Sequence, residues 1–290
     1  MSDVAAVVCT RNRPGLLSVA LDSLAAQTLA RGRYEVVVVD NGDGSGAEVA
    51  RARGADMVLE VAEPGLSRAR NAGWRAVSAP WLAFLDDDAV AAPEWLDRGL
   101  ELVDRLDAVA AGGQILPLYD ERPPSWFRDE YELRAWGDDE RLLRPGESFS
   151  ASNLFLARDA LEAVGGFDPE LGMRADRIAV GEETALFEKL WQRSDLRAAY
   201  SPRLLVRHRV PRGKTTVRYQ LRRAAASGDA WAVRSTAGRR DVRRAFLDVV
   251  VAAGLAGRAL LRVRRPWQQW AVEELSPVAG RLGSSRGALR

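Results

Sequence analysis

Val36-Val37-Val38-Val39 is a run of four β-branched residues that stops at Asp40, and a glycine-rich turn, Asn41-Gly42-Asp43-Gly44, follows it. Such a run reads as a strand, and the turn as its exit. The same grammar recurs on both sides. Ala5 to Val8 is a short apolar run ending in Cys9-Thr10-Arg11-Asn12-Arg13-Pro14, with Leu17, Leu21 and Leu24 at helical spacing after it. That predicts a buried strand, a loop, and a helix with Pro at its first position. A helix near Ala47 to Arg53, a weaker strand at Asp56 to Leu59, and a helix capped by Ser67 and running to about Val77 come next. Trp81 to Leu85 is another apolar strand, which runs into Asp86-Asp87-Asp88, and Pro93 opens a helix through about Arg105. Strands alternating with helices imply a parallel, doubly wound sheet. Parallel strands point their carboxyl ends at one edge, where such sheets bind ligands. Thr10, Asp40 and Asp86 to Asp88 all fall at those ends.

From about Leu116 to Ser148 the rhythm breaks. Pro117, Pro123, Pro124 and Pro145 sit among Trp126, Phe127, Tyr131 and Trp136, which reads as a long aromatic-bearing excursion of the binding-loop kind. A strand at Asn153 to Ala157, a turn at Gly165-Gly166 and a helix from Glu182 to Trp191 restore order; beyond Arg212 the chain reads as helical. The expected organisation is a catalytic domain over residues 1–212 and a basic helical region over 213–290.

With 290 residues, 47% hydrophobic and 28% charged, the chain is globular, in one large α/β domain or two smaller ones. Its net charge of +2 hides an asymmetry: residues 201–290 carry 20 Lys or Arg against 5 Asp or Glu, and the first 200 carry 22 against 35. An acidic body suits cation binding, and a basic tail suits phosphate-bearing partners or an anionic membrane surface. Cys9 is the only cysteine, which excludes a disulfide framework and a cysteine-based zinc site. The N-terminus carries no signal-peptide pattern. No uncharged apolar run reaches the roughly 18 residues of a spanning helix. The nearest, Val249 to Gly257, is bounded by Asp248 and Arg258. The expected location is the cytoplasm, with contact at the membrane surface open.

Three adjacent carboxylates at a strand end repel one another, and a cation among them relieves that repulsion. The alternative is a solvated acidic turn. Oxygen ligands favour a hard ion, so Mn²⁺ or Mg²⁺ is expected, completing its shell with substrate phosphates. A second acidic pair, Glu182-Glu183, opens a helix, where the helix dipole also favours carboxylates. His208 is the sole histidine and follows the apolar run Leu204-Leu205-Val206. Gly42, Gly44 and Gly46 do not match the dinucleotide fingerprint, and no Walker motif occurs.

Taken in order, these segments resemble glycosyltransferase family 2, an inverting family with the glycosyltransferase A-type fold. The resemblance rests on Val8 to Arg13, the strand ending Asp40-Asn41, Ser67-Arg68-Ala69-Arg70-Asn71-Ala72-Gly73, Phe84 to Asp88, Gly165-Gly166-Phe167-Asp168 and Gly181-Glu182-Glu183-Thr184. It implies a Rossmann-like, mostly parallel sheet flanked by helices, with a helical C-terminal extension. It also implies a donor that is a UDP, dTDP or GDP sugar and an acceptor hydroxyl of unspecified origin; no nucleic-acid partner is expected. Thr10, Arg11, Asn12, Asp40 and Arg70 would line the nucleotide, with Asp86 and Asp87 beside it. Asp88 would bind the cation, with Asp86 and His208 as further ligands. Gly166, Phe167 and Asp168 would lie beside the transferred sugar and acceptor, as would Trp126 in the excursion. Glu183 stands where the family's catalytic Asp usually stands, so the base is Glu183 or its neighbour Glu182.

Three rivals fit parts of this pattern. A D-x-D phosphatase would place its motif on the first strand and need a downstream lysine, whereas the only lysines here are Lys189 and Lys214. A sugar nucleotidyltransferase would carry a glycine-rich signature where Thr10-Arg11-Asn12 stands. A non-catalytic nucleotide-sugar-binding protein would have no use for Glu182-Glu183. In the C-terminal region, Val249, Ala253, Ala256 and Leu260 fall at helical spacing, flanked by Arg243, Arg244, Arg262, Arg264 and Arg265. That face could meet a membrane, cover the catalytic domain or form a homodimer.

Overall fold

The computed structural model describes residues 2–172, 181–193, 196–235, 241–263 and 266–289. Arg264 and Arg265, named above, lie outside them. In chain order the elements are β1 (Val4–Thr10), α1 (Pro14–Ala25), β2 (Tyr34–Asp40), α2 (Ser45–Ala52), β3 (Met57–Glu60) and α3 (Leu66–Arg75). Next come β4 (Trp81–Asp86), β5 (Ala89–Ala91), α4 (Trp95–Arg105), β6 (Ala110–Tyr119), β7 (Arg141–Leu142), β8 (Leu154–Ala157) and α5 (Arg158–Ala163). The last are α6 (Glu182–Trp191), β9 (Ala198–Val210), α7 (Val217–Ser235), α8 (Val242–Leu260) and α9 (Trp267–Ala288).

The chain divides into two compact units. The first holds Met1–Leu118, Glu132–Glu170 and Glu182–Arg209; the second includes Tyr119–Tyr131 and Val210–Arg290. Among the described residues a nine-stranded sheet runs β3-β2-β1-β4-β8-β6-β9-β5, with β7 on β9. The strands β3, β2, β1 and β4 pair in parallel, as the alternating pattern predicts. From β8 outward the pairing turns antiparallel: β8 with β4 and β6, and β9 with β5 and β7. The parallel half is thus continued by an antiparallel half that the strand–helix alternation does not announce.

Helices cover both faces of the sheet. Along β1, Val4, Ala6 and Val8 join Leu17, Leu21 and Leu24 of α1 and Trp95 of α4 in one core, while Ala5, Val7 and Cys9 join Trp74, Phe84, Phe167 and Phe187 in the other. Trp95, fully buried, meets Phe155 edge-on at 4.9 Å and donates its indole N–H to Asn153 Oδ1 at 2.8 Å. Each fully buried phenylalanine contributes about 1.5–3 kcal/mol of transfer free energy, so these two layers carry the unit. Two local expectations shift. Ser67 does not cap α3 from outside; it sits buried in the first turn, after Gly65 at the cap position. The excursion begins later than Leu116, because β6 continues to Tyr119.

In the second unit α7 lies against α9 through small residues. A Cβ on Gly287 of α9 would come within 2.5 Å of the Asp229 carbonyl, and Gly228 and Gly283 are packed closer still. Helix α8 packs on α9 through Ala245, Ala252 and Ala259, with Asp248 buried between them and held by Arg281 (2.9 Å) and the Ser284 hydroxyl (2.5 Å).

Candidate active site

The carboxyl ends of β1, β2 and β4 present Thr10, Asp40 and Asp86 at one edge of the first unit. The three aspartates after β4 divide the work. Asp87 is fully buried: Thr10 Oγ1 donates to its Oδ2 at 2.7 Å, Arg13 Nε donates to the same oxygen at 3.1 Å, and the Arg13 guanidinium also contacts Oδ1. It braces the turn. Asp86 and Asp88 keep partly exposed side chains.

His208 reaches them because β9 pairs antiparallel with the short β5, setting His208 opposite Ala89, one residue past Asp88. Its Nε2 lies 3.0 Å from Asp88 Oδ1, and the Arg209 N–H donates to the Asp88 carbonyl at 2.8 Å. One ligand atom each from Asp86, Asp88 and His208 lie within 4.8 Å of one another. Two carboxylates and an imidazole gathered so closely make a donor set that fits a divalent cation. Among the described residues, Arg13 pairs with Asp87 and Asp88, and Arg70 with Asp86, Glu182 and Glu183.

Arg70, 3% exposed on α3, is the hub of the acidic ring. It donates to Asp86 Oδ1 at 3.1 Å and to Glu182 Oε1 at 3.1 Å, and lies 3.6 Å from Glu183 Oε1. Burial works against its charge, but Glu183, Asp86 and Glu182 more than offset that and hold its pKa above the ordinary value. The two glutamates open α6 and differ in access. Glu182 is buried, with no hydrogen-bond partner for Oε2 among the described residues, and burial followed by Glu183 pushes its pKa up. Glu183 is half-buried and accepts from the Ala151 N–H at 3.2 Å.

Asp40 spends both carboxylate oxygens on main chain, accepting from Gly42 N–H at 2.8 Å and from Ala47 N–H, in the first turn of α2, at 2.9 Å. It therefore shapes the loop beside the site and satisfies a helix N-terminus. Asn12, at φ 54°, accepts from the Asp43 N–H at 2.9 Å, so the loops after β1 and β2 are tied together. Arg11 is half-buried beside it. Two asparagines within the motifs, Asn41 and Asn71, hold loops in place. Asn41 donates to the Val61 and Glu63 carbonyls and accepts from Gly65 N–H at 2.7 Å, which fixes the entry to α3. Asn71 donates to the Phe167 carbonyl at 2.7 Å and accepts from the Phe167 N–H at 3.0 Å, clamping the Gly165-Gly166 turn onto α3.

That clamp orders the loop expected beside the sugar. Phe167 itself is buried, edge-on to Phe84 at 5.2 Å with the Arg70 guanidinium over its ring at 5.4 Å. Asp168 is half-buried and accepts from the Glu170 N–H at 2.9 Å. Gly166 has φ 83°, and a Cβ there would stand 2.5 Å from Asn71 Oδ1. Gly166→Ala should therefore lower stability by about 1–3 kcal/mol, a fall of several degrees in Tm. An unchanged melt would refute that account of the clamp.

Trp126 belongs to the second unit, buried against Phe127, Tyr131 and Val272. It lines an open pocket of about 550 Å³ with Arg122, Arg212, Trp267 and Gln268.

Burial pushes the Asp87 carboxyl up to about 7, against the pull of Arg13. A carboxyl with a raised folded pKa stabilises the fold below its ordinary value of 3.8, and that stabilisation is lost as pH rises through about 7. In metal-free buffer, Tm should fall between about pH 4 and pH 7, and the slope should flatten in Asp87→Asn. Equal slopes in the two proteins would assign the titration elsewhere.

The family described as Glycosyl transferase family 2 matches residues 5–165. The glucosyl-dolichyl phosphate glucuronosyltransferase of Haloferax volcanii is 28% identical over 224 residues, 71% of this chain and 69% of that protein. Succinoglycan biosynthesis protein ExoM of Rhizobium meliloti is 30% identical over 232 residues, 76% of this chain and 71% of that protein. Among solved structures, the mannosyltransferase PcManGT from Pyrobaculum calidifontis, in complex with GDP-Man and Mn²⁺, superposes with a TM-score of 0.63 at 19% identity, covering 97% of this chain and 86% of that one. The mixed α/β fold is of the glycosyltransferase A type. The chain belongs to glycosyl transferase family 2 and is a glycosyltransferase.

Proposed function

We propose that this enzyme moves a sugar from a nucleotide-diphosphate donor to an acceptor hydroxyl with inversion at the anomeric carbon. The observation that carries the reading is the convergence of Asp86, Asp88 and His208, with the buried Arg70 joining Asp86 to Glu183. The names of the relatives support it: one is a glucosyl-dolichyl phosphate glucuronosyltransferase, and the mannosyltransferase from Pyrobaculum calidifontis was solved in complex with GDP-Man and Mn²⁺. Residues 1–212 would form the catalytic domain, and 213–290 its helical extension.

Asp86, Asp88 and His208 would hold Mn²⁺ or Mg²⁺, the imidazole suiting Mn²⁺ better because Mg²⁺ prefers oxygen donors. When bound, such an ion neutralises the charge that gathers on the departing diphosphate. The nucleoside would lie along the carboxyl ends of β1 and β2, where Thr10, Arg11, Asn12 and Asp40 stand. Arg70 keeps Asp86 and the α6 glutamates in place from beneath. Glu183 is the better base: its carboxylate is more accessible, whereas Glu182 is committed to Arg70. Glu183 takes the proton of the acceptor hydroxyl as the acceptor oxygen bonds to the anomeric carbon. The bond from that carbon to the diphosphate oxygen breaks, and the nucleoside diphosphate leaves with the electron pair. A single displacement of this kind turns an α-linked donor into a β-linked product. The donor base, the sugar and the acceptor stay open among UDP, dTDP and GDP sugars and hydroxyl-bearing acceptors.

The test is a thermal-shift screen of nucleoside diphosphates with and without Mn²⁺. A ligand at a hundredfold excess over its Kd raises stability by about 2.7 kcal/mol. No shift with any diphosphate in manganese or magnesium buffer would remove the donor reading.

A further inference from the structure

Ten of the sixteen large hydrophobic side chains exposed among the described residues fall between Val242 and Trp267. They concentrate on α8 and the turn after it. The face of α8 that packs on α9 is lined by Ala245, Asp248, Ala252 and Ala259; the opposite face carries Val242, Phe246 and Val250, with Leu260 and Leu261 at its end. Phe246 is 67% exposed and Leu261 88%. Val249 and Leu260, from the apolar stripe read in the sequence, are also exposed rather than packed. Isolated exposed hydrophobics are ordinary, but a face of this kind marks a surface meant to be covered.

The charges on this face are of one sign. Arg243 and Arg258 stand exposed on it. The acidic groups of the surrounding segment are all used internally: Asp241 accepts from Arg244 N–H at 2.9 Å, Asp248 holds Arg281, Glu273 accepts from Arg128 at 3.3 Å, and Glu274 lies 3.7 Å from Arg262. A two-fold dimer would set this patch against itself and bring arginine to arginine. An anionic surface meets both the apolar side chains and the cations. No described helix is long and apolar enough to cross a membrane. An amphipathic helix with arginines beside its apolar side chains lies in the interface plane instead.

We propose that the outward face of α8, with the turn after it, docks the enzyme on the surface of an anionic lipid bilayer. This assignment rests on the second unit alone and stands whether or not the donor reading above is correct.

The experiment is sedimentation of the full chain with vesicles of phosphatidylcholine alone and of phosphatidylcholine mixed with phosphatidylglycerol. Binding is expected to the mixed vesicles, to weaken with salt, and to fall at least about tenfold on phosphatidylcholine alone. Phe246→Ser with Leu261→Ser should reduce binding by about tenfold or more, since both side chains would leave the acyl boundary. Arg243→Ser and Arg258→Ser should each cost about fivefold. All four positions are exposed, so Tm should not move, which separates lost docking from lost folding. Absence of binding to mixed vesicles at low salt would overturn the proposal, as would binding that the double variant leaves intact. A concentration-dependent dimer that the double variant abolishes would assign the face to a second copy and overturn it equally.

Discussion

Asp88→Asn is expected to reduce sugar transfer by at least about a thousandfold and to erase the Mn²⁺-dependent part of the thermal shift produced by nucleoside diphosphates. Asp88 is the residue of the acidic triplet that faces His208, at 3.0 Å, and Arg13, at 3.3 Å, with its side chain still partly open. An amide of the same shape keeps the packing but surrenders the negative charge that a divalent ion requires. Stabilising a departing diphosphate is worth several kcal/mol, and about 1.4 kcal/mol is a factor of ten in rate. Melting without ligand should change little, because the buried brace of the turn is Asp87, held by Thr10 and Arg13. Wild-type turnover of Asp88→Asn in manganese buffer would sink the assignment.

Glu183→Gln should lower kcat by about 10²–10⁴ while leaving donor affinity unchanged, the signature of a group that acts on the acceptor proton and not on the nucleotide. The amide still accepts from the Ala151 N–H, so the start of α6 stays in place. Glu182→Gln should behave differently. Its carboxylate is buried on Arg70, and its loss unbalances the ring beneath the site without removing an accessible base. Measuring kcat, KM and donor Kd for both variants distinguishes the two carboxylates. Full activity in Glu183→Gln together with loss in Glu182→Gln would transfer the role to Glu182.

The parallel half of the sheet was legible because buried parallel strands are written as continuous apolar runs, as in Val36 to Val39 and Trp81 to Leu85. The antiparallel half was not. Strand β6 contains Gly112 and Gly113, residues that read as breakers; a Cβ at Gly112 would stand 2.5 Å from the Phe149 ring, and one at Gly113 would collide with the Leu204 carbonyl. Close approach of neighbouring chain, which no local pattern encodes, is what demands glycine there. Strand β9 mixes Arg207, His208 and Arg209 into its length, and only its pairing with β5 explains why the histidine reaches Asp88. The acidic residues at strand ends were readable as chemistry. Their division into a brace, two open carboxylates and a shared arginine depends on contacts between residues distant in sequence, such as Arg70 and Glu182, 112 positions apart. Asn71 shows the same limit: it was visible as part of a pattern, yet its grip on Phe167 spans 96 positions.

Cys9, the sole cysteine, is buried at the end of β1, and burial pushes its thiol up to about 12. A thiol so rarely ionised is a poor nucleophile, and its burial leaves alkylating reagents little approach in the folded protein. Maleimide dyes should therefore ignore the native chain. A cysteine introduced at an exposed position such as Leu261 would be labelled alone, without first replacing Cys9, and would provide a single-site fluorescent reporter.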